Sequence, residues 1–253
     1  MTTTTTKRSM STRRAPVPTL IELVQNTTED LRKELRYSVK KTDFGMLCNH
    51  PFFVGLYHTN AQANYYYWER KRAAEQFRKK GNWTQYILTH ERPYRLDALI
   101  EDGHKLTDKR YWQLLSHIWQ QIENCWQYKR ALSVLFHSDR PGKRWMMDAD
   151  ERKVFKGLPE TLTVYRGCDR KDNQRNWSWT LSREKADWFA NRFRCLRRKR
   201  FVAMGECCKS DALAYFSGRD EEEILVNPRK VKVLEILKPG RVKRVSKGEK
   251  IGE

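Results

Sequence analysis

Apolar positions along this chain change their spacing near residue 159. Before that point they recur mostly at three- and four-residue steps, the period of one helix face. After it they alternate or come in short runs, the mark of strands. Thr27-Thr28-Glu29-Asp30 predicts a helix start, followed by Leu31, Leu35 and Val39 at four-residue steps. Residues 44–58 (FGMLCNHPFFVGLYH) are apolar but irregular, interrupted by Pro51 and two glycines. Residues 61–80 predict a second helix that stops at Gly81 and carries Tyr65, Tyr66, Tyr67 and Trp68 beside a basic C-terminal end. The longest helical pattern covers 108–137. There Tyr111, Leu115, Ile118, Ile122 and Cys125 form a stripe with Trp112, Trp119 and Trp126 alongside. Aromatic residues at helical spacing read first as core, with base stacking as the alternative. His117 lies near this stripe and reads as structural.

Beyond Pro159, β-rich segments are predicted at Leu162–Tyr165, Arg200–Glu206, Ala212–Phe216, Ile224–Val226 and Val231–Leu237. One helix interrupts them, from Ser182 to about Phe193. Ser182 supplies its cap, Glu184 sits in its positive first turn, and Ala186, Phe189, Ala190 and Phe193 make its apolar face. The expectation is an α+β chain: a basic, disordered tail over 1–18, a helical region over 19–105, and a domain over 106–253. In that domain a helical part (106–158) precedes a β-rich core (159–253). No 20–50-residue repeat is visible.

Charge narrows the class of partner. The 253 residues carry 51 Lys and Arg against 31 Asp and Glu, a formal net charge of +20. The excess is shared between both halves of the chain rather than confined to a tail. It points to an anionic partner such as nucleic acid, a membrane surface or ribosomes, or to an acidic inhibitor protein. The densest stretch is Arg192–Arg200 (RFRCLRRKR), where Arg197, Arg198, Lys199 and Arg200 are candidate nucleic-acid-binding residues; a solvated charged face is the plainer reading. No apolar run reaches the roughly 18 residues of a membrane-spanning helix, and the N-terminal stretch lacks the apolar core of a secretory signal. The six cysteines form no C-x-x-C pair and the six histidines no metal-binding spacing. The expectation is therefore a cytoplasmic protein without a metal site or a disulfide scaffold.

Three short motifs carry candidate chemistry. A strand ends in Tyr165-Arg166-Gly167. Trp177-Ser178-Trp179-Thr180 leads into the capped helix. Ala214-Tyr215-Phe216 and the loop Ser217-Gly218-Arg219-Asp220-Glu221-Glu222-Glu223 run into the apolar Ile224-Leu225-Val226. A strand-end arginine can hold phosphate or ribose oxygens with a permanently charged fork. A neighbouring hydroxyl can orient a ribose and a carboxylate, and a carboxylate can stabilise the positive charge that develops when a glycosidic bond breaks. In these motifs the chain resembles the ADP-ribosyltransferase superfamily, in its arginine–serine–glutamate class, and most of all the compact phage and bacterial members. The resemblance covers roughly residues 155–237.

The resemblance implies an ADP-ribosyltransferase-like split β-sheet domain and NAD+ as co-substrate, with no metal. It implies that Arg166 anchors NAD+, that Ser178 and Thr180 are the first and third residues of the serine motif, and that Glu223 is the catalytic glutamate. Glu221 is then the partner that handles the acceptor nucleophile. Asp220 and Glu222 are an alternative registration, set aside because Glu223 abuts the apolar strand. Gly167 would let the backbone approach the nicotinamide amide, and Trp179 or Phe189 would stack on the nicotinamide ring. The related histidine-containing class is disfavoured, because position 166 is Arg and no histidine lies in 138–253. The E-x-E pair implies arginine side chains as acceptor. The charge favours RNA, DNA or a ribonucleoprotein. The activity implied is that of a toxin, a phage host-takeover factor or an anti-phage effector. A basic nucleic-acid-binding module with a degenerate transferase fold is the alternative of a different class.

Overall fold

A computed structural model of the chain describes residues 39–122, 128–169, 174–192 and 200–240. Helices and antiparallel sheets are mixed in it, an α+β fold. Among the described residues no helix is long and apolar enough to cross a membrane. The chain divides into two compact units between Ala98 and Leu99, seven residues ahead of the 105/106 boundary that the sequence texture suggests. The basic tail and the helix start at Thr27 lie outside the described residues.

The first unit opens with β1 (Val39–Thr42), β2 (Gly45–His50) and β3 (Phe53–Tyr57), an antiparallel meander. This corrects the expectation of a helical region over 19–105, within which 44–58 read only as apolar and irregular. The turn after Thr42 is closed by its own hydroxyl, which donates to the Gly45 carbonyl at 2.8 Å. The turn at Pro51 is supported by the Phe52 N–H donating to His50 Nδ1 at 3.2 Å. Cys48, Phe53 and Tyr57 face one core with Ala63 and Tyr67 of α1 (Asn60–Lys79). Alternation is broken within this stretch, which is why its strands are hard to read from sequence. Tyr67 is buried, whereas Tyr65 and Tyr66 are exposed. Gly81 adopts φ +67°, and the Gly81 and Asn82 N–H groups donate to the carbonyls of Arg78 and Phe77, which ends α1. Then follow α2 (Trp83–Thr89) and α3 (Arg95–Asp102), the latter containing the division between units.

The second unit contains α4 (Asp108–Gln121), α5 (Lys129–Phe136) and α6 (Ala149–Gly157) ahead of its sheet. The single helix expected over 108–137 is thus two. Ile122 turns to an extended conformation (φ −78°, ψ 115°). The apolar stripe runs on past it, so periodicity alone does not mark the break. Trp112, Leu115, Ile118 and Trp119 of α4 are buried, each large side chain worth about 1.5–3 kcal/mol in removal from water. The Phe136 ring lies 5.4 Å from Trp119 and 4.8 Å from Trp177, linking both helices to the sheet.

The sheet has the order β7-β8-β5-β4-β6-β9 and is antiparallel throughout. Its strands are β4 (Thr161–Cys168), β5 (Ser178–Thr180), β6 (Phe201–Cys208), β7 (Ala212–Phe216), β8 (Glu223–Val226) and β9 (Lys232–Leu237). β4 pairs with β6 along its whole length, from Thr161↔Cys208 to Cys168↔Phe201. β4 meets β5 at the single pair Tyr165↔Thr180. Two three-stranded halves therefore join at a narrow seam, and that seam brings the ends of β4, β5 and β8 together. Helix α7 (Arg183–Asn191), capped by Ser182, packs Ala186 and Ala190 on Val202, with Tyr165 and Leu237 at the margin.

Candidate active site

Arg166 lies next to the seam on β4. Its Nη1 donates to the carbonyl oxygen of Ser178, tying the arginine to β5. The register then carries β5 onto β8, with Ser178 opposite Leu225 and Thr180 opposite Glu223. The Ser178 hydroxyl donates to the Glu223 carboxyl. The Trp119 indole N–H donates to Glu223 Oε1 at 3.2 Å. Arg166, Ser178 and Glu223, separated in sequence, are thereby brought into one cluster.

Glu223 is only 8% exposed. Burial pushes its carboxyl above the ordinary carboxylate range. The hydrogen bonds from Ser178 and Trp119 pull it down, the Glu221 charge pushes it up, and the Arg166 charge pulls it down. The net direction is upward. The result is a carboxyl out of bulk water, held by two side-chain donors, with one fixed cation within electrostatic reach.

The loop before Glu223 is held by its backbone. Thr180 Oγ1 donates to the Glu221 carbonyl at 2.7 Å and accepts the Ser182 N–H at 3.0 Å, while the Leu181 N–H donates to the Glu222 carbonyl at 3.1 Å. Thr180 therefore joins β5, the loop and the cap of α7. Two residues of the loop take the left-handed region without being glycine: Asp220 at φ +56° and Glu222 at φ +46°. Each such residue costs on the order of 1 kcal/mol and persists where its surroundings over-determine it. The bonds to Thr180 and Leu181 do that here. Asp220 is exposed and paired with Lys185 at 2.7 Å, and Glu222 is also exposed. The half-buried Glu221 and the buried Glu223 are the pair that belongs to the cluster.

Two expected contacts with the nicotinamide, at Gly167 and Trp179, change meaning. The space a side chain at Gly167 would take is filled by α7: a Cβ there would lie 2.2 Å from the Ala186 carbonyl oxygen and 2.4 Å from the Ala190 nitrogen. The glycine serves close helix–strand packing, which leaves no room on that side for an approaching ligand. The Trp179 ring is 2% exposed, and its indole N–H donates to the Asn176 carbonyl at 2.9 Å. A buried ring has no face to stack on a nicotinamide, so Trp179 is a core residue. Phe189 is half-buried; its Cβ would lie 2.8 Å from a Cβ at position 167, and its ring makes an edge contact with Trp188. Of the basic candidates, Arg197, Arg198 and Lys199 lie outside the described residues. Arg200 is exposed and donates to the Asn191 side chain at 2.8 Å.

The sequence reading missed Trp119 as a partner of Glu223. As a helical aromatic it carries the same signal as its core neighbours, and nothing local distinguishes it. His117, expected to be structural, is exposed and lies 2.9 Å from Gln121 Nε2. Cys48, Cys168, Cys207 and Cys208 are free, and burial pushes the Cys168 thiol up to about 11. Among the described residues no group of His, Cys, Asp and Glu is arranged to hold a metal ion. Comparison of the chain with family models, with curated proteins and with solved structures returned no match.

Proposed function

We propose that this chain is a mono-ADP-ribosyltransferase that moves ADP-ribose from NAD+ to a macromolecular acceptor, with nucleic acid or a ribonucleoprotein favoured over protein arginine. The observation that carries the reading is the convergence of Arg166, Ser178 and Glu223 at the β4–β5–β8 seam. Arg166 is the anchor for NAD+ phosphate or ribose oxygens. Glu223 stabilises the positive charge that develops on the ribose as the bond to nicotinamide breaks and the electron pair leaves on the nicotinamide. Ser178 and Trp119 both donate to that carboxyl and hold its orientation. The acceptor nucleophile then bonds to the same ribose carbon and gives up its proton, with Glu221 as the carboxylate assigned to it. A cationic nicotinamide riboside beside Glu223 favours the ionised carboxylate and opposes the upward push of burial. The charge of +20 is accounted for by an anionic acceptor bound through its phosphates. Such an enzyme would act as a toxin, a phage host-takeover factor or an anti-phage effector in the cytoplasm of the cell in which it is made.

The test is transfer of label from adenylate-labelled NAD+ to separate pools of RNA, DNA and cell protein, with Glu223→Gln as control. Label on nucleic acid that disappears in the variant is the expected result. Label on protein alone makes the acceptor an arginine side chain. The burial of Glu223 favours one competing reading, a basic binding module whose transferase site no longer turns over. A site occupied at ~100-fold ligand excess over Kd gains about 2.7 kcal/mol of stability. Melting that is flat at millimolar NAD+, with no label transferred, would establish the binding module instead.

A further inference from the structure

The N-terminal half of the 217–222 loop borders a cleft that the transferase reading does not use. It has a volume of about 370 Å3, and its walls are α4, the short turn Lys143–Met146, the start of α6, and Ser217–Gly218. That volume is at the low end of the range for small-ligand clefts, roughly 300–1,000 Å3, and suits one nucleotide rather than a folded partner.

Three cations gather around Trp145, which lines the cleft. Lys109 Nζ lies 4.4 Å from the Trp145 ring centroid, and the guanidinium carbons of Arg144 and Arg152 lie 5.4 Å from the same ring. The indole attracts each of them through its quadrupole and so holds three like charges near one another. No carboxylate pairs with any of the three among the described residues. Arg152 also donates to the Met147 carbonyl at 2.5 Å, which sets its direction. The two acids of the cleft are occupied by backbone donors. Glu151 accepts the Asp148 N–H at 2.9 Å and the Ser217 N–H at 3.2 Å, and Asp148 accepts the Glu151 N–H at 2.8 Å. The cations lie beside Trp145 at the edge of the cleft, while the α4 side contributes Gln113, His117 and Gln120, which both donate and accept.

We propose that this cleft is the acceptor subsite and that it takes one nucleotide of single-stranded nucleic acid. Its phosphate meets Lys109, Arg144 and Arg152, and its base edge meets Gln113, His117 and Gln120. A guanidinium acceptor would be repelled by the three cations, so the charge selects nucleic acid over protein arginine. A base enters such a cleft only when it is out of a duplex stack. The cleft is joined to the loop that leads to Glu221 and Glu223. Ser217 is bonded to Glu151, and a side chain at Gly218 would come within 3.2 Å of Gln120 Oε1. The assignment as acceptor subsite rests on the transferase reading; the nucleotide site itself does not.

The experiment uses the full chain and a fluorescein-labelled single-stranded RNA dodecamer of mixed sequence. Binding is followed by anisotropy over a range of NaCl concentrations. For Lys109→Gln/Arg144→Gln/Arg152→Gln the expected result is at least tenfold weaker binding at low salt. The slope of log K against log salt should be shallower by about 2, since each single-strand phosphate contact contributes about 0.7. NAD+ cleavage without RNA should be unchanged. Arg152 is partly buried, so the exposed pair Lys109→Glu/Arg144→Glu provides a second variant that leaves Arg152 in place; it should weaken binding in the same direction. Unchanged affinity and slope in both variants would overturn the proposal. So would duplex RNA competing as well as single strands, or an arginine-rich peptide displacing the RNA from the wild type. If the wild type cleaves no NAD+ while the variants still lose RNA binding, the transferase reading fails and the nucleotide site stands.

Discussion

Among its described residues the second unit buries two glutamates, Glu151 at 6% exposure and Glu223 at 8%, and surrounds them differently. Glu151 accepts backbone N–H groups, from its own helix cap and from Ser217. Glu223 accepts from two side chains, Ser178 and Trp119. Backbone donors are fixed by the fold, so the first arrangement builds structure: a capping box that also pins the start of the 217–222 loop. Side-chain donors orient a carboxyl without dedicating it to the backbone, and burial pushes its pKa above the ordinary carboxylate range. The difference is the physical reason to assign chemistry to Glu223 and architecture to Glu151, although the two are equally buried.

The sharpest way to break this comparison is to remove each charge in turn. Glu223→Gln should reduce label transfer from NAD+ by at least about 100-fold, in the range seen when one transition-state donor or charge is removed. Turnover near the wild-type rate would end the assignment. Glu151→Ala should instead cost about 1–2 kcal/mol in denaturant unfolding through the lost cap and the released loop N–H, with NAD+ cleavage largely kept. A larger loss of cleavage than of stability in that variant would mean that the two glutamates share one role.

pH provides the next test. Burial raises the folded-state pKa of Glu223 above that of the unfolded chain. The folded state then holds this proton more tightly. The stability it contributes is whole below the ordinary glutamate pKa of about 4.3 and is lost as pH rises through the folded value. A glutamine cannot lose that contribution. Glu223→Gln should therefore gain stability relative to wild type as pH rises from acid to neutral, measured as paired melting curves at each pH. A constant difference across that range would place the carboxyl in water. Activity should show the matching feature, an acid limb above the ordinary carboxylate range, because the working form is the anion.

The smallest expected effect belongs to Trp119. Its indole lowers the Glu223 pKa by hydrogen bonding. Trp119→Phe keeps an aromatic ring but loses the donor, so the acid limb of NAD+ cleavage should move to higher pH while the fold is retained. An acid limb that stays in place would reduce Trp119 to packing.

Particular elements show what was legible. The strands after Pro159 and the capped helix at Ser182 were readable because alternation, turn residues and a cap are local signals. β2 and β3 were not, because alternation is interrupted between Phe44 and His58 by Pro51, the glycines and residues of mixed exposure, and β1 was not, because Val39 falls in helical step with Leu31 and Leu35. The break at Ile122 was hidden because the apolar stripe continues past it. Gly167 could be singled out but not explained: a glycine that admits a ligand and one that admits a helix look the same in one dimension. Trp179 was misplaced for a related reason, since the motif marks its neighbours and only the sheet decides which face it lies on.

What the amino-acid order determined by itself was the set of elements, the change from helical to strand texture, the charge, and the three motifs with their order along the chain. These depend on interactions between residues a few positions apart. Only the tertiary structure decided which of those motifs meet. The narrow β4–β5 seam brings Arg166, Ser178 and Glu223 together, and α4 delivers Trp119 across 104 positions to the same carboxyl. Local propensity carries no information about such a contact, because it exists only once two faces have been packed against each other and water has been removed from between them.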